Sequence, residues 1–188
     1  MNLKKLIKGR EVALIALAAI LLGIIFNAFL TVVDRLIYPE DYYETVMKYS
    51  DEFSVPSELV FAVIKVESDF KSDAKSSVGA IGLMQMLPST YEWLASKLGD
   101  APFAAMLYDP ETNIKYGTYY LQYLYAKFGT WEKAVIAYNW GEGNFARFLE
   151  SHEYTEGEYS SIPVRETRNY VSKVMHHWEK YEDLYSKK

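Results

Sequence analysis

Apolar positions along the chain change spacing several times, and each change marks an element. From Val12 to Val33 the chain carries no charged residue. A helix of about twenty-two apolar residues is long enough to cross a hydrocarbon core of roughly 30 Å. Beyond Tyr38 the chain turns polar in character, and Pro39 interrupts any continuous helix. Tyr42 to Phe53 then reads as a first amphipathic helix. Next, Leu59, Val60, Val63, Ile64 and Val66 recur at the i, i+3, i+4 spacing of a helix with a buried face, with Pro56 suited to its first turn. That helix ends near Glu67.

Punctuation predicts the remaining helices. Pro88 opens one that runs to Leu98, with Gly99 just past its end. Asp109-Pro110 supplies an N-cap and a first-turn proline for a longer helix through Phe128, where Ile114, Gly117, Leu121, Leu124 and Phe128 form a stripe and Gly129 stops it. Trp131 to Trp140 makes another helix, leading into a glycine-spaced string, Gly141-Glu142-Gly143-Asn144. Ser151 to Ser161 is polar and reads as an exposed loop. Ile162-Pro163-Val164-Arg165 opens the last helix.

Composition narrows the function classes. The 188 residues are half hydrophobic, include no cysteine and sum to a formal net charge of −5. This suits one globular domain plus something apolar. Outside the first ten residues there is no basic stripe, which argues against nucleic acid as a partner. Without cysteine, neither a disulfide scaffold nor a thiolate metal site is available. His152, His176 and His177 form no H-E-x-x-H pattern, and neighbouring helical residues point in different directions, so they read as surface residues and no metal or cofactor is expected. A G-x-S-x-G elbow and a phosphate-binding loop are absent as well.

The terminal run has two readings. A cleaved signal peptide normally has an apolar core of only about 7 to 15 residues. This run is longer, and no small-x-small cleavage site follows it, which favours an uncleaved anchor. Lys4, Lys5, Lys8 and Arg10 precede the run, whereas Asp34, Arg35, Glu40 and Asp41 follow it. The expected arrangement is residues 1–11 in the cytoplasm, 12–33 in the membrane and a domain at 34–188 on the far side, held close to the bilayer by a short linker.

The candidate chemistry lies between Ile64 and Thr90. Val63 and Ile64 sit one turn behind Glu67 and Phe70 one turn ahead, so its carboxyl has apolar neighbours. Desolvation raises a carboxyl pKa towards neutrality, and an acid still protonated near pH 7 can donate its proton to a glycosidic oxygen. A lone glutamate at a helix end is more often merely solvated. The following loop favours catalysis: Gly79 and Gly82 allow close approach of a ligand, and Gln85 offers an amide to a sugar hydroxyl or to the acid. Asp69 and Asp73 are the nearest other carboxylates, and their polar neighbours suggest exposure.

Three separate strings carry a resemblance. Glu67-Ser68, Phe70, Ala74, Ser76, Gly79-Ala80, Gly82-Leu83-Met84-Gln85 and Pro88-Ser89-Thr90 resemble the first signature of the soluble lytic transglycosylase family, relatives of goose-type lysozyme. Ala137-Tyr138-Asn139 with its spaced glycines resembles the second; Pro163, Glu166-Thr167 and Tyr170-Val171 resemble the third. Asp109-Pro110-Glu111, Asn113-Ile114, Gly117 and Tyr120-Leu121 also resemble the family and read mostly as packing positions. Ser72 and Ser77 depart from it, standing where prolines are common, away from the acid.

The resemblance implies a mainly α, lysozyme-like domain with at most a very small β element, behind one transmembrane helix. It further implies non-hydrolytic cleavage of the β-1,4 bond between N-acetylmuramic acid and N-acetylglucosamine in peptidoglycan, leaving 1,6-anhydro ends. Glu67 would be acid and then base, with no cofactor. Ser76, Met84, Gln85, Tyr138, Asn139, Glu166 and Tyr170 would bind substrate. Ser76 and Gln85 would steady the 2-acetamido group, Tyr138 and Asn139 would line the cleft, and Tyr170 would support the acid or an oxazolinium-like intermediate. Glu166 shares a helix face with Tyr170 and is either a substrate contact or a structural carboxylate. Trp140 reads as core more readily than as site. Two rivals stay open: a muramidase that uses water, and a non-catalytic wall-binding module, which would have no need of a buried acid. The expected partners are glycan strands and the membrane; protein partners are not indicated.

Overall fold

The structure, a computed structural model, describes residues 3–185, with side chains from residue 9 onward. The chain divides into two compact units between Pro39 and Glu40. The first is α1 (Leu3–Ile37), a single helix longer at both ends than the uncharged run. Within Gly9–Ile37 an 18-residue window reaches a mean hydropathy of 2.7, and none of that window is buried. By length and composition it is able to cross a membrane.

The second unit is helical. In chain order it holds α2 (Tyr43–Phe53), α3 (Ser57–Glu67), α4 (Pro88–Leu98), α5 (Pro110–Phe128), α6 (Trp131–Trp140), α7 (Glu142–Ser151) and α8 (Arg165–Tyr185), with short 3-10 turns at Ala104–Tyr108 and Tyr159–Ser161. The β content among the described residues is two isolated bridges, Lys75 with Ile81 and Ile81 with Met86. These are the very small β element, and they shape one turn of the loop after α3.

Two helices are buried on every side along their middle, and their sequences say why. Leu59 to Ile64 of α3 and Ala134 to Ala137 of α6 are uninterrupted apolar runs, all buried, as expected for helices without a polar face. α8 packs against both, and α5 packs against α6 and α2. Large side chains fill the spaces: Tyr181 of α8 lies 5.5 Å from Phe61 of α3, ring centre to ring centre. The terminators act as expected. Asp109 caps α5 by accepting from the Thr112 amide at 2.9 Å and the Thr112 hydroxyl at 2.7 Å, and Thr130 caps α6 by accepting from the Lys133 amide. Pro56 stands one residue earlier than expected, as the N-cap of α3 rather than in its first turn.

Two features differ from the sequence reading. The glycine-spaced string, assigned to no element, is largely helical: α7 begins at Glu142 and includes Gly143 and Asn144. Glycine disfavours a helix interior by roughly 1 kcal/mol, and burial of Phe145 and Phe148 one turn apart offsets that cost. The polar segment that follows is exposed along much of its length, yet it is tied down. The buried Glu132 carboxylate accepts from Tyr154 Oη at 2.6 Å, the Gly157 amide at 2.9 Å and Tyr159 Oη at 3.2 Å.

Candidate active site

Glu67 is the last residue of α3, where the helix runs out of the core into a cleft. Its Oε1 accepts a hydrogen bond from Tyr170 Oη of α8 at 2.7 Å. Burial raises the Glu67 pKa from 4.5 to about 7, and the Tyr170 bond, which favours the charged form, opposes part of that rise. The phenol of Tyr170 is itself pushed well above its ordinary value, by burial first and by the nearby Glu67 charge second. Tyr170 therefore acts as a neutral donor. No other carboxylate is among the causes of the Glu67 shift. Asp69 is exposed, paired with Lys65 and held below the usual carboxylate range by that bond; neither it nor Asp73 lines the cleft.

The loop after Glu67 is locked to the scaffold. Ser68 Oγ donates to the Leu83 carbonyl at 2.8 Å. Buried Asn113 of α5 makes three bonds to backbone: its Oδ1 accepts from the Met84 amide at 2.7 Å, and its Nδ2 donates to the carbonyls of Ile81 at 2.8 Å and Leu107 at 2.7 Å. Gly82 has φ +79° and lies so close to this knot that a Cβ there would meet Asn113 Nδ2 at 2.2 Å and the Leu107 carbonyl at 2.3 Å. Only glycine fits that position without displacing the loop. Gly117 of α5 serves a similar end, since a Cβ there would meet Met84 Sδ at 2.3 Å.

The cleft has a volume of about 410 Å³. Of the residues singled out in the sequence, Glu67, Ser76, Gln85, Tyr138, Asn139 and Glu166 line it. Ser76 Oγ is engaged by the Ala80 amide at 2.9 Å. Gln85, at φ +47°, donates from Nε2 to the carbonyls of Gly82 at 2.9 Å and Ala74 at 3.2 Å, so its position in the cleft is held by the loop itself. Tyr138 Oη donates to the Met84 carbonyl at 2.8 Å, which joins α6 to the loop. Glu166 is exposed at the rim.

Four placements correct the sequence reading. Met84 does not line the cleft; it is fully buried, its thioether packed over Gly117, and it reaches the site only through its carbonyl bond to Tyr138. Tyr170 is buried behind Glu67 rather than lining the cleft, although it shares a helix with Glu166. Trp140, read as core, is half-buried and lines the cleft. His177 is likewise half-buried rather than on the surface, and burial lowers its pKa. Val78 and Leu87 also line the cleft and were not singled out, while Thr90 and Tyr120, quoted for their resemblance to the family, were not assigned to the site. Tyr120 lies on the polar-aromatic side of α5, where its spacing looks like packing; no local signal distinguishes it. Asn113 was read as a packing position, and its three backbone bonds exist only once α5 meets the loop.

A helical domain with one buried, neutral-leaning acid over an open cleft defines a lysozyme-like architecture suited to acid chemistry on an extended polymer. The transglycosylase SLT domain family model matches residues 44–160, and the chain belongs to that family. It is 34% identical over 148 residues to the soluble lytic murein transglycosylase of Escherichia coli K12, a match covering 73% of this chain and 22% of the relative. The membrane-bound lytic murein transglycosylase C of Haemophilus ducreyi is 28% identical over 165 residues, covering 74% of this chain and 45% of that protein. Among solved structures, an inactive mutant of the lytic transglycosylase Slt from Pseudomonas aeruginosa, with glutamine in place of a glutamate, superposes with a TM-score of 0.72 at 32% identity over 78% of this chain and 24% of its own. The chain thus spans about a quarter to a half of the length of these relatives.

Proposed function

We propose that the domain from Glu40 onward is a lytic transglycosylase of peptidoglycan, cutting the bond between N-acetylmuramic acid and N-acetylglucosamine without water. One observation carries the reading: a single buried carboxyl, with a pKa near 7, faces the cleft with no second carboxylate acting on it. An ordinary retaining glycosidase needs a partner carboxylate at about 5 Å as nucleophile. Here the substrate's own 2-acetamido group takes that part.

In the first step Glu67 gives its proton to the glycosidic oxygen as the C1–O bond breaks and the acetamido oxygen bonds to C1. The Glu67 carboxylate, steadied by Tyr170, then takes the proton of the C6 hydroxyl while O6 attacks C1 and expels the acetamido oxygen. The product carries a 1,6-anhydro ring, and Glu67 ends protonated as it began. Ser76 and Gln85 orient the acetamido group, Tyr138 and Asn139 line the cleft beside the reacting sugar, and Glu166 meets the strand at the rim. Met84 acts through its backbone by fixing Tyr138.

The apolar α1 supports membrane attachment, and the basic residues ahead of the uncharged run support an N-terminus in the cytoplasm with the domain outside. Mass spectrometry of soluble fragments from purified peptidoglycan treated with the protein tests the chemistry. Anhydromuramyl ends from the wild type and none from Glu67→Gln are expected. Reducing ends would instead make the protein a hydrolytic muramidase and refute the lyase mechanism.

A further inference from the structure

The catalytic cleft does not end at Tyr120. A second depression of about 370 Å³ continues from it, sharing Thr90, Tyr120 and Gly141 as common walls, so the two form one groove. Its floor is Trp93 of α4, three residues beyond Thr90 and on the same face of that helix. The indole is half-buried and stands edge-on to Tyr123 at 4.9 Å and to Tyr120 at 6.4 Å. Tyr120 in turn lies 5.3 Å from Tyr138 in the cleft. Aromatic rings therefore run in an unbroken row from the site of Glu67 to Trp93.

The wall opposite the indole is low. Gly141 and Gly143 bring no side chains to it, and a Cβ added at Gly143 would meet nothing within 4 Å. Between them Glu142, paired with Lys127 at 2.8 Å, presents a carboxylate to the groove, and Ser89 and Thr90 present hydroxyls. An indole held by two tyrosines, open space across from it and oxygen acceptors at its margin are what a pyranose ring needs. Its C–H face can lie on the aromatic surface while its hydroxyls donate to the rim. Lys97 Nζ lies over the indole, 4.8 Å from its centre, without lining the groove.

Resting on the proposed glycan-cleaving function, we infer that this extension holds one further saccharide ring of the strand, stacked on Trp93, remote from the bond that is cut. Trp93 is then a specificity-determining residue: it makes the protein favour longer strands. The ring adds binding that a short oligomer, confined to the cleft around Glu67, does not reach.

The test measures binding of peptide-free glycan oligomers, a tetrasaccharide and an octasaccharide, to the full chain in detergent carrying Glu67→Gln, so that nothing is cleaved. Adding Trp93→Ala is expected to weaken octasaccharide binding roughly five- to tenfold, the loss of one aromatic platform, and to leave the tetrasaccharide unchanged. Gly143→Leu obstructs the groove from the other wall without touching the aromatic row, and is expected to give the same length-selective loss with a melting temperature no lower than before, since leucine favours the helix over glycine. Absence of a length-selective loss in both variants overturns the inference. Failure of the wild type to release fragments from peptidoglycan would refute the proposed chemistry instead, and the binding comparison reads the groove independently of that result.

Discussion

Replacing Glu67 by glutamine probes the site through stability as well as activity. In the folded chain the carboxyl titrates at about 7 against an ordinary 4.5, a difference of about 2.5 pH units. At about 1.36 kcal/mol per unit, ionising Glu67 costs the folded state about 3 kcal/mol relative to the unfolded chain. Because the folded pKa is raised, the penalty is absent below pH 4.5, where both states hold the proton. It grows as the unfolded chain ionises and is complete above pH 7. Glutamine does not titrate, and its carbonyl still accepts from Tyr170. The variant is therefore expected to gain about 3 kcal/mol on the wild type between pH 4.5 and pH 8, or roughly 6 to 12 °C in melting temperature for a chain of this size. Thermal unfolding of both proteins at the two pH values reads the difference, and the cleavage assay is expected to read zero for the variant. An identical stability difference at both pH values would refute the buried acid; undiminished cleavage would refute its role.

Tyr170→Phe keeps the packing against α3 and removes the bond that favours the Glu67 carboxylate. The Glu67 pKa is then expected to rise further, so the alkaline limb of the pH–rate profile, set near pH 7 by loss of the acid form, moves to higher pH; a shift to lower pH would contradict the assigned direction. Asn113→Ala leaves the Met84 amide and the Ile81 and Leu107 carbonyls without their buried partner. A loss of about 3 to 5 kcal/mol in urea unfolding is expected, with cleavage reduced at temperatures where the variant is still folded; a loss below about 1 kcal/mol would show that the knot is not what holds the loop.

Local sequence determined much of this protein because the relevant physics is local. Six of the seven helices after Pro39 follow from apolar periodicity and from caps and stops such as Asp109, Thr130 and Gly129, which act within one turn of the residues they serve. The position of Glu67 at the end of an apolar helix pointed to a raised pKa, and burial raises it to about 7, although Tyr138 and Tyr170 beside it come from other helices. α7 was not legible: its glycines gave no helical signal, and what makes it a helix is the burial of Phe145 and Phe148, a property of the assembled core.

Only the tertiary structure decided which side chains face the cleft. Met84 and Gln85 are adjacent in sequence, yet one is buried over Gly117 and the other lines the site, because Asn113 and Gly82 set the direction of the loop from 29 and 3 residues away respectively. Tyr170 reaches Glu67 across 103 residues of chain, and Tyr120 joins the site only because α5 and α6 pack together. Contacts between elements carry no short-range pattern, so the acid was visible in the sequence while the surface that presents substrate to it was not.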